Sequence, residues 1–513
     1  MEKINFTNEP QKKLSYMALT TDTTSNCEIS EEFDLPDYIP EIRKILAVKT
    51  GVLPESKYLS DKGNGSQLDF GGTVTYLVIY TDDEGNLCST PLTSAYETSV
   101  QLSTRPEVVF IDTVADNTSV RVNAPRKLTV KTRLKNKITG YSKGIYEENI
   151  SSKSTADEIY LQRASEKVKT VDVNQISLQN VKISDKFDMQ ENKNAKPIWC
   201  DATVVINDCK VQNGAVSVRG NGMVKCVCQV NDTIVSLCKD ITVNEEIEAD
   251  KCQDTAFVSI VPRCVMLAIS NELNDDEGQL FFDLNLEFEG ATYDNKEEYV
   301  TKDCYSTKWE TETNYKTIDT YSMVKCQNAS FTVSESLKRK NNEATEIVEI
   351  IATPVFEKAE IKGQKSIFTG KLDVNVIGMH QTDEGNEYLC DTFEVPIKYE
   401  TDIKLYPEEV FQRCSFTVGK VSGRYDTEKF LLNSEIFLSY DIVEKSKHKV
   451  LDTAILKKDR EIKNDLACVR VCFPTEDDSL WEIAKKYHTT VEKIASQNDL
   501  DSPYEFYKKK LII

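Results

Sequence analysis

One phrase occurs three times in this chain at nearly constant spacing, and any fold proposed for it must repeat with it. Gly72-Thr73-Val74-Thr75-Tyr76-Leu77-Val78-Ile79-Tyr80 matches Gly222-Met223-Val224-Lys225-Cys226-Val227-Cys228-Gln229-Val230, and both match Gly370-Lys371-Leu372-Asp373-Val374-Asn375-Val376-Ile377-Gly378. The leading glycines are 222 − 72 = 150 and 370 − 222 = 148 residues apart. Each run is followed by a Leu-Cys pair: Leu87-Cys88, Leu237-Cys238 and Leu389-Cys390. Solenoid units repeat every ~20–50 residues, so a period this long is that of a whole domain. The chain reads as a tandem array of one domain type, an arrangement suited to scaffolds and binding platforms.

Within each repeat the dominant period is two. Phe282, Leu284, Leu286 and Phe288 alternate with Asp283, Asn285 and Glu287, the pattern of a strand with one dry face. Val224/Cys226/Cys228/Val230, Leu372/Val374/Val376 and Ile436/Leu438/Tyr440 alternate likewise. Asp82-Asp83-Glu84-Gly85-Asn86, Asp275-Asp276-Glu277-Gly278 and Asp383-Glu384-Gly385-Asn386 read as hairpin tips in which glycine supplies positive φ. None has the spacing of a calcium loop. A second strand-rich half begins at Leu128, Leu280 and Phe430, which lie 56, 58 and 60 residues after the glycines. Hairpins with one apolar face must pack sheet on sheet. The expected fold class is mainly β: tandem β-sandwich or barrel-like domains followed by a small βααβ unit.

The expected organisation is a polar lead over 1–30, repeats over 31–145, 165–305 and 319–455, and a last domain over 467–513. Linkers are expected near Ser142 to Ser165 and near Asp303 to Thr317. Asp61 to Ser66, Glu191 to Pro197 and the basic run Ser336 to Asn342 read as loops, the last as a solvated turn. The formal charge of −21, from 84 acidic and 63 basic residues, excludes nucleic acid as a natural partner. Met1 to Phe6 shows no signal-peptide pattern, and no apolar run approaches the ~20 residues of a membrane span, so a cytosolic location is expected. The 15 cysteines include no Cys-x-x-Cys pair. Cys226 and Cys228 read as small core residues on one strand face.

From Ala467 the period becomes helical. Ala467 to Phe473 reads as a strand. Ser479-Leu480-Trp481-Glu482 is a capping box, followed by Leu480, Ile483, Ala484 and Tyr487 on one face. Thr489-Thr490-Val491-Glu492 offers a second box, Val491, Ile494 and Ala495 a second face, and Lys510 to Ile513 a closing strand. Residues 467–513 resemble a LysM domain through Asp478 to Tyr487, Thr489-Thr490-Val491 and Asn498-Asp499-Leu500. The resemblance implies two strands packed on two helices and a groove for N-acetylglucosamine-containing glycans. The groove residues it implies are Asp477, Asp478, Ser479, Leu480, Asn498, Asp499 and Leu500, with Tyr504 beside them. Asp477 stands where many members have glycine, and Glu505 to Lys509 replace a Pro-Gly step, so a protein could occupy the groove instead. Leu480, Leu500 and Tyr504 are expected near the contact surface.

The repeats resemble, over roughly 40–455, the SPOCS domain of spore-coat-associated proteins. SPOCS repeats joined to one LysM domain resemble the clostridial spore coat morphogenetic proteins. That resemblance implies a mother-cell protein at the forespore surface and spore coat. The implied partner is the coat basement-layer ATPase, stage IV sporulation protein A, engaged through the LysM domain, with other coat proteins and peptidoglycan as further candidates. No catalytic, metal or cofactor motif stands out: the histidines His380, His448 and His488 are dispersed, and no nucleophile elbow, Walker loop or zinc helix is present. The expectation is a non-enzymatic adaptor; the alternative is a glycan-binding cell-wall protein.

Overall fold

The alternating runs form strands, and the strands form three units of one topology. The computed structural model describes residues 13–63, 65–150, 159–188, 195–230, 233–250, 252–274, 277–363, 365–383, 385–462, 470–475, 478–500 and 510–513, with backbone alone at 271–274, 277 and 278. The first unit comprises β1 (Leu14–Asp34), β2 (Lys44–Asp61), β3 (Ser66–Thr81), β4 (Leu87–Leu102), β5 (Val108–Ala124) and β6 (Lys127–Tyr146), followed by the short β7 (Asn149–Ile150). The second comprises β8 (Leu161–Lys186), β9 (Lys196–Gln212), β10 (Ala215–Val230), β11 (Thr233–Glu248), β12 (Phe257–Asn274) and β13 (Glu277–Ser306). The third comprises β14 (Trp309–Lys338), β15 (Glu346–Lys362), β16 (Lys365–Thr382), β17 (Gly385–Thr401), β18 (Glu409–Asp426) and β19 (Lys429–Glu461).

In every unit the second to fourth strands form one antiparallel sheet, and the sixth strand is flanked by the first and fifth in another: β2-β3-β4 with β1-β6-β5, β9-β10-β11 with β8-β13-β12, and β15-β16-β17 with β14-β19-β18. The two sheets enclose one apolar core per unit, so each is a sandwich. Phe282, Leu284, Leu286 and Phe288 are buried in the second core with Val224, Cys226 and Cys228.

The glycine that opens each repeated phrase has a steric cause. A β-carbon on Gly72 would strike the carbonyl oxygen of Leu53, and one on Gly370 that of Val355. In both places the neighbouring strand carries a register shift, between Pro54 and Ser56 or between Phe356 and Lys358, which brings its backbone close. The Leu-Cys pairs behave differently. Gly72, Gly222 and Gly370 lie opposite Tyr96, Ile241 and Ile397. Measured from those partners, Leu87 is 96 − 87 = 9 residues earlier, Leu237 is 241 − 237 = 4, and Leu389 is 397 − 389 = 8. Leu237 faces its own core whereas Leu87 faces a junction between units. The pairs are similar in sequence but not equivalent in structure.

Three further findings depart from the sequence reading. The N-terminal lead is strand from Leu14 onward, because β1 pairs with β6 along its whole length; residues 1–12 lie outside the described residues. Where a linker was expected near Asp303 to Thr317, β13 continues to Ser306 and β14 starts at Trp309. The linker expected near Ser142 to Ser165 falls between the end of β6 at Tyr146 and the start of β8 at Leu161, and its middle, 151–158, lies outside the described residues. In the basic run, Arg339 is buried: it stacks on Tyr425 at 3.7 Å and donates to the carbonyls of Thr427, Asn341 and Ala344.

The long strands of the second sheets bring the units together. Met17 and Tyr141 from the first unit, Val173 and Tyr293 from the second, and Tyr321, Met323 and Val443 from the third share one buried cluster. Tyr16, Tyr146, Val168, Val300, Ile318 and Val450 form another. Each unit touches both others: Lys49 pairs with Asp201, Lys225 with Glu349 at 2.7 Å, and the Tyr146 hydroxyl donates to the Leu451 carbonyl at 3.0 Å. β7 closes the set by pairing in parallel with β19, Asn149 beside Thr453 and Ile150 beside Ala454. The three sandwiches form a closed assembly, not a string of beads. Among the described residues no helix is long and apolar enough to cross a membrane.

Candidate functional site

The C-terminal unit is built as its sequence demands. A two-residue strand, β20 (Val471–Cys472), pairs antiparallel with β21 (Leu511–Ile512), and two helices, α1 (Leu480–Lys486) and α2 (Val491–Gln497), lie between them. Ser479 caps α1, accepting from the Glu482 amide at 3.2 Å, while the Glu482 carboxylate accepts from the Ser479 amide at 3.3 Å. At α2 the cap is Thr490, which accepts from Lys493 at 3.1 Å; lysine at that position leaves the cap without a reciprocal arm. Each helix ends in a residue with positive φ, His488 at 53° and Asp499 at 46°, and the next amide folds back to Ala484 or Ala495.

The residues expected to line the groove largely build the domain. Asp478 accepts from the Thr475 amide and hydroxyl at 2.7 and 2.9 Å; these bonds hold its carboxyl below the usual carboxylate range. Ser479 is committed to capping. Leu480 is only 3% exposed and packs in the core with Ile483, Ala484, Val491 and Ile494, so it contributes packing and not contact surface. Asn498 latches the last strand, donating to the carbonyls of Ile494 and Ile512 at 2.8 and 2.7 Å and accepting from the Ile512 amide at 2.7 Å. Leu500 packs partly buried on the same core. The structure thus brings Asp478, Ser479 and Leu480 to one helix start and Asn498, Asp499 and Leu500 to the other helix end. Asp477 and Tyr504 lie outside the described residues.

The unit is seated on the second sandwich. Its core is completed by Ala164 and Tyr305 of the second sandwich. The Tyr305 ring meets Trp481 edge-on, centroids 4.8 Å apart, and its hydroxyl donates to the Thr489 carbonyl at 2.7 Å. Asp303 accepts from Trp481 Nε1 at 2.9 Å, from Lys485 Nζ at 2.7 and 2.8 Å, and from the Tyr315 hydroxyl at 2.6 Å. Burial alone would raise the Asp303 pKa. The hydrogen bonds from Lys485, Tyr315 and Trp481 outweigh it and hold the carboxyl below its ordinary value. A register shift between Thr301 and Asp303 precedes this carboxylate in β13, a bulge of the kind that re-aims side chains. Trp481 and Lys485, four residues apart on one helix face, were the available signal, but the pairing of both with an aspartate 178 or more residues away has no trace in local pattern.

Residues 475–507 match the family model of the LysM domain. No curated protein and no solved structure matches the chain. The chain therefore carries a LysM domain at its C-terminal end, a module that supports a role in binding peptidoglycan or other carbohydrate, or in adaptor contacts.

Proposed function

We propose that this protein is a non-enzymatic adaptor of spore coat assembly that works by contact and not by chemistry. The reading places it in the mother-cell cytoplasm, at the forespore surface and spore coat. Its LysM domain engages the coat basement-layer ATPase, stage IV sporulation protein A, while the three sandwiches offer surface to other coat proteins. The likeness of the repeats to SPOCS domains, and of the whole arrangement to the clostridial coat morphogenetic protein SipL, supports this reading. The observation that carries it is the seat of the LysM domain. A module fixed to a closed body by the Asp303 network and Tyr305 is presented in one orientation, as a tether requires.

A second reading is favoured by the family match itself: a peptidoglycan-binding protein anchored through N-acetylglucosamine. One experiment separates the two. The purified full chain is offered in parallel to insoluble peptidoglycan, chitin oligomers and immobilised stage IV sporulation protein A. Retention by the ATPase, lost on truncation after residue 462, is the expected result. Retention by glycan alone would replace the first reading with the second.

A further inference from the structure

A cavity of about 380 Å³ lies where the three sandwiches meet, bounded by β5 and β6, by β12 and β13, and by β15 and β18. Its size falls in the range of small-ligand sites, and its walls combine apolar and aromatic side chains, including Phe110, Val114 and Phe356, with a few polar groups. Some of the polar groups are committed to one another. Arg263 and Lys57 share Glu289. Gln412 is held by the hydroxyls of Tyr141 and Tyr321.

Arg413 stands apart. It sits on β18 opposite Asp441 of β19, and one terminal nitrogen donates to the Ser259 hydroxyl at 3.1 Å. That hydroxyl in turn donates to the Asp441 carboxylate at 2.9 Å, so serine stands between the two charges. Among the described residues no carboxylate oxygen comes within 4.0 Å of the Arg413 nitrogens. Burial alone would lower the Arg413 pKa; Asp441 and Asp112 act on its charge without touching it, and their negative charges outweigh the burial and hold the pKa above the ordinary value. With no carboxylate in direct contact, the planar fork of Arg413 keeps donors that fit a carboxylate or phosphate group.

We propose that this cavity binds a small organic anion, a carboxylate or a phosphate monoester, whose charged group pairs with Arg413 and whose apolar body lies against Phe110, Val114 and Phe356. The site belongs to the three-sandwich body and is independent of the LysM domain.

The test uses the full chain and four probes: benzoate, phenyl phosphate, inorganic phosphate and the uncharged benzyl alcohol. Binding is read by calorimetric titration and by melting temperature. Benzoate or phenyl phosphate should bind and raise the melting temperature, and whichever binds more tightly identifies the head group. Benzyl alcohol should do neither. R413Q should weaken binding by about tenfold to a hundredfold, the loss of a charge-assisted pair, with an unchanged circular dichroism spectrum. The proposal fails if neither organic anion binds, if benzyl alcohol or inorganic phosphate binds as tightly as they do, or if R413Q binds as the parent does. Should R413Q fail to fold, the comparison of anions with benzyl alcohol on the unaltered chain decides.

Discussion

Asp303 takes hydrogen bonds from the second helix turn of the LysM domain, from its tryptophan, and from a tyrosine of the third sandwich, so one carboxylate ties three parts of the chain together. The sign of its pH dependence follows from its depressed pKa. Its contribution is fully present above the unfolded aspartate value of about 3.9 and is lost as pH falls through the lower, folded value. For Lys485, burial lowers the pKa but the bond to Asp303 and its charge raise it further. That contribution is present below the unfolded value of about 10.4 and is lost as pH rises through the folded one. The LysM seat should therefore hold across neutral pH and loosen only at the acid and alkaline extremes, followed through the indole N–H resonance of Trp481. Because Lys485 is partly solvated, Asp303→Asn should cost about 1–2 kcal/mol. Faster hydrogen exchange in α1, with the sandwiches unchanged, would register that cost. None of this was legible beforehand. The sequence marks Trp481 as an apolar helix residue and Asp303 as a linker residue, and only the tertiary fold sets one against the other.

At the scale of strands and helices, legibility tracked periodicity. β13 alternates over Phe282–Phe288 and β19 over Ile436–Tyr440, and both helices of the LysM unit carry a cap and an apolar face, so those stretches could be read directly. β1 could not, because Thr20-Thr21-Asp22-Thr23-Thr24-Ser25 has β-branched residues but no apolar alternation; its pairing with β6 makes it a strand. The repeated Leu-Cys phrase misleads for a different reason: hairpins of unequal length shift it to different registers while the glycine keeps its place. That glycine is testable. In Gly370→Ala the added carbon meets the Val355 carbonyl and the Phe416 ring, and the shift it forces should lower stability by about 1–3 kcal/mol in urea unfolding. The same change at Gly72, against the Leu53 carbonyl, should act likewise.

Taken as a whole, the molecule departs furthest from what a tandem repeat suggests. Repeats usually announce a chain of neighbours, each touching the next. Here the first and third sandwiches also touch, and residues such as Tyr293, Val300 and Tyr321 are buried in clusters to which all three units contribute. Local patterning carries no information about such contacts, which join residues far apart in sequence. A fragment spanning 159–306 should consequently expose Tyr293, Val300 and Tyr305, bind a hydrophobic dye and aggregate, whereas the full chain unfolds in one cooperative step by calorimetry. A fragment that stayed monomeric and dye-free would show that the sandwich needs no neighbours.

The parallel clasp between Ile150 and Ala454 bears on how such a chain is made. During synthesis the first sandwich can form early, but its fastening strand has nothing to join until β19 has emerged from the ribosome. Through most of translation the nascent protein carries an unmet edge, open to pairing with other chains until synthesis is nearly done.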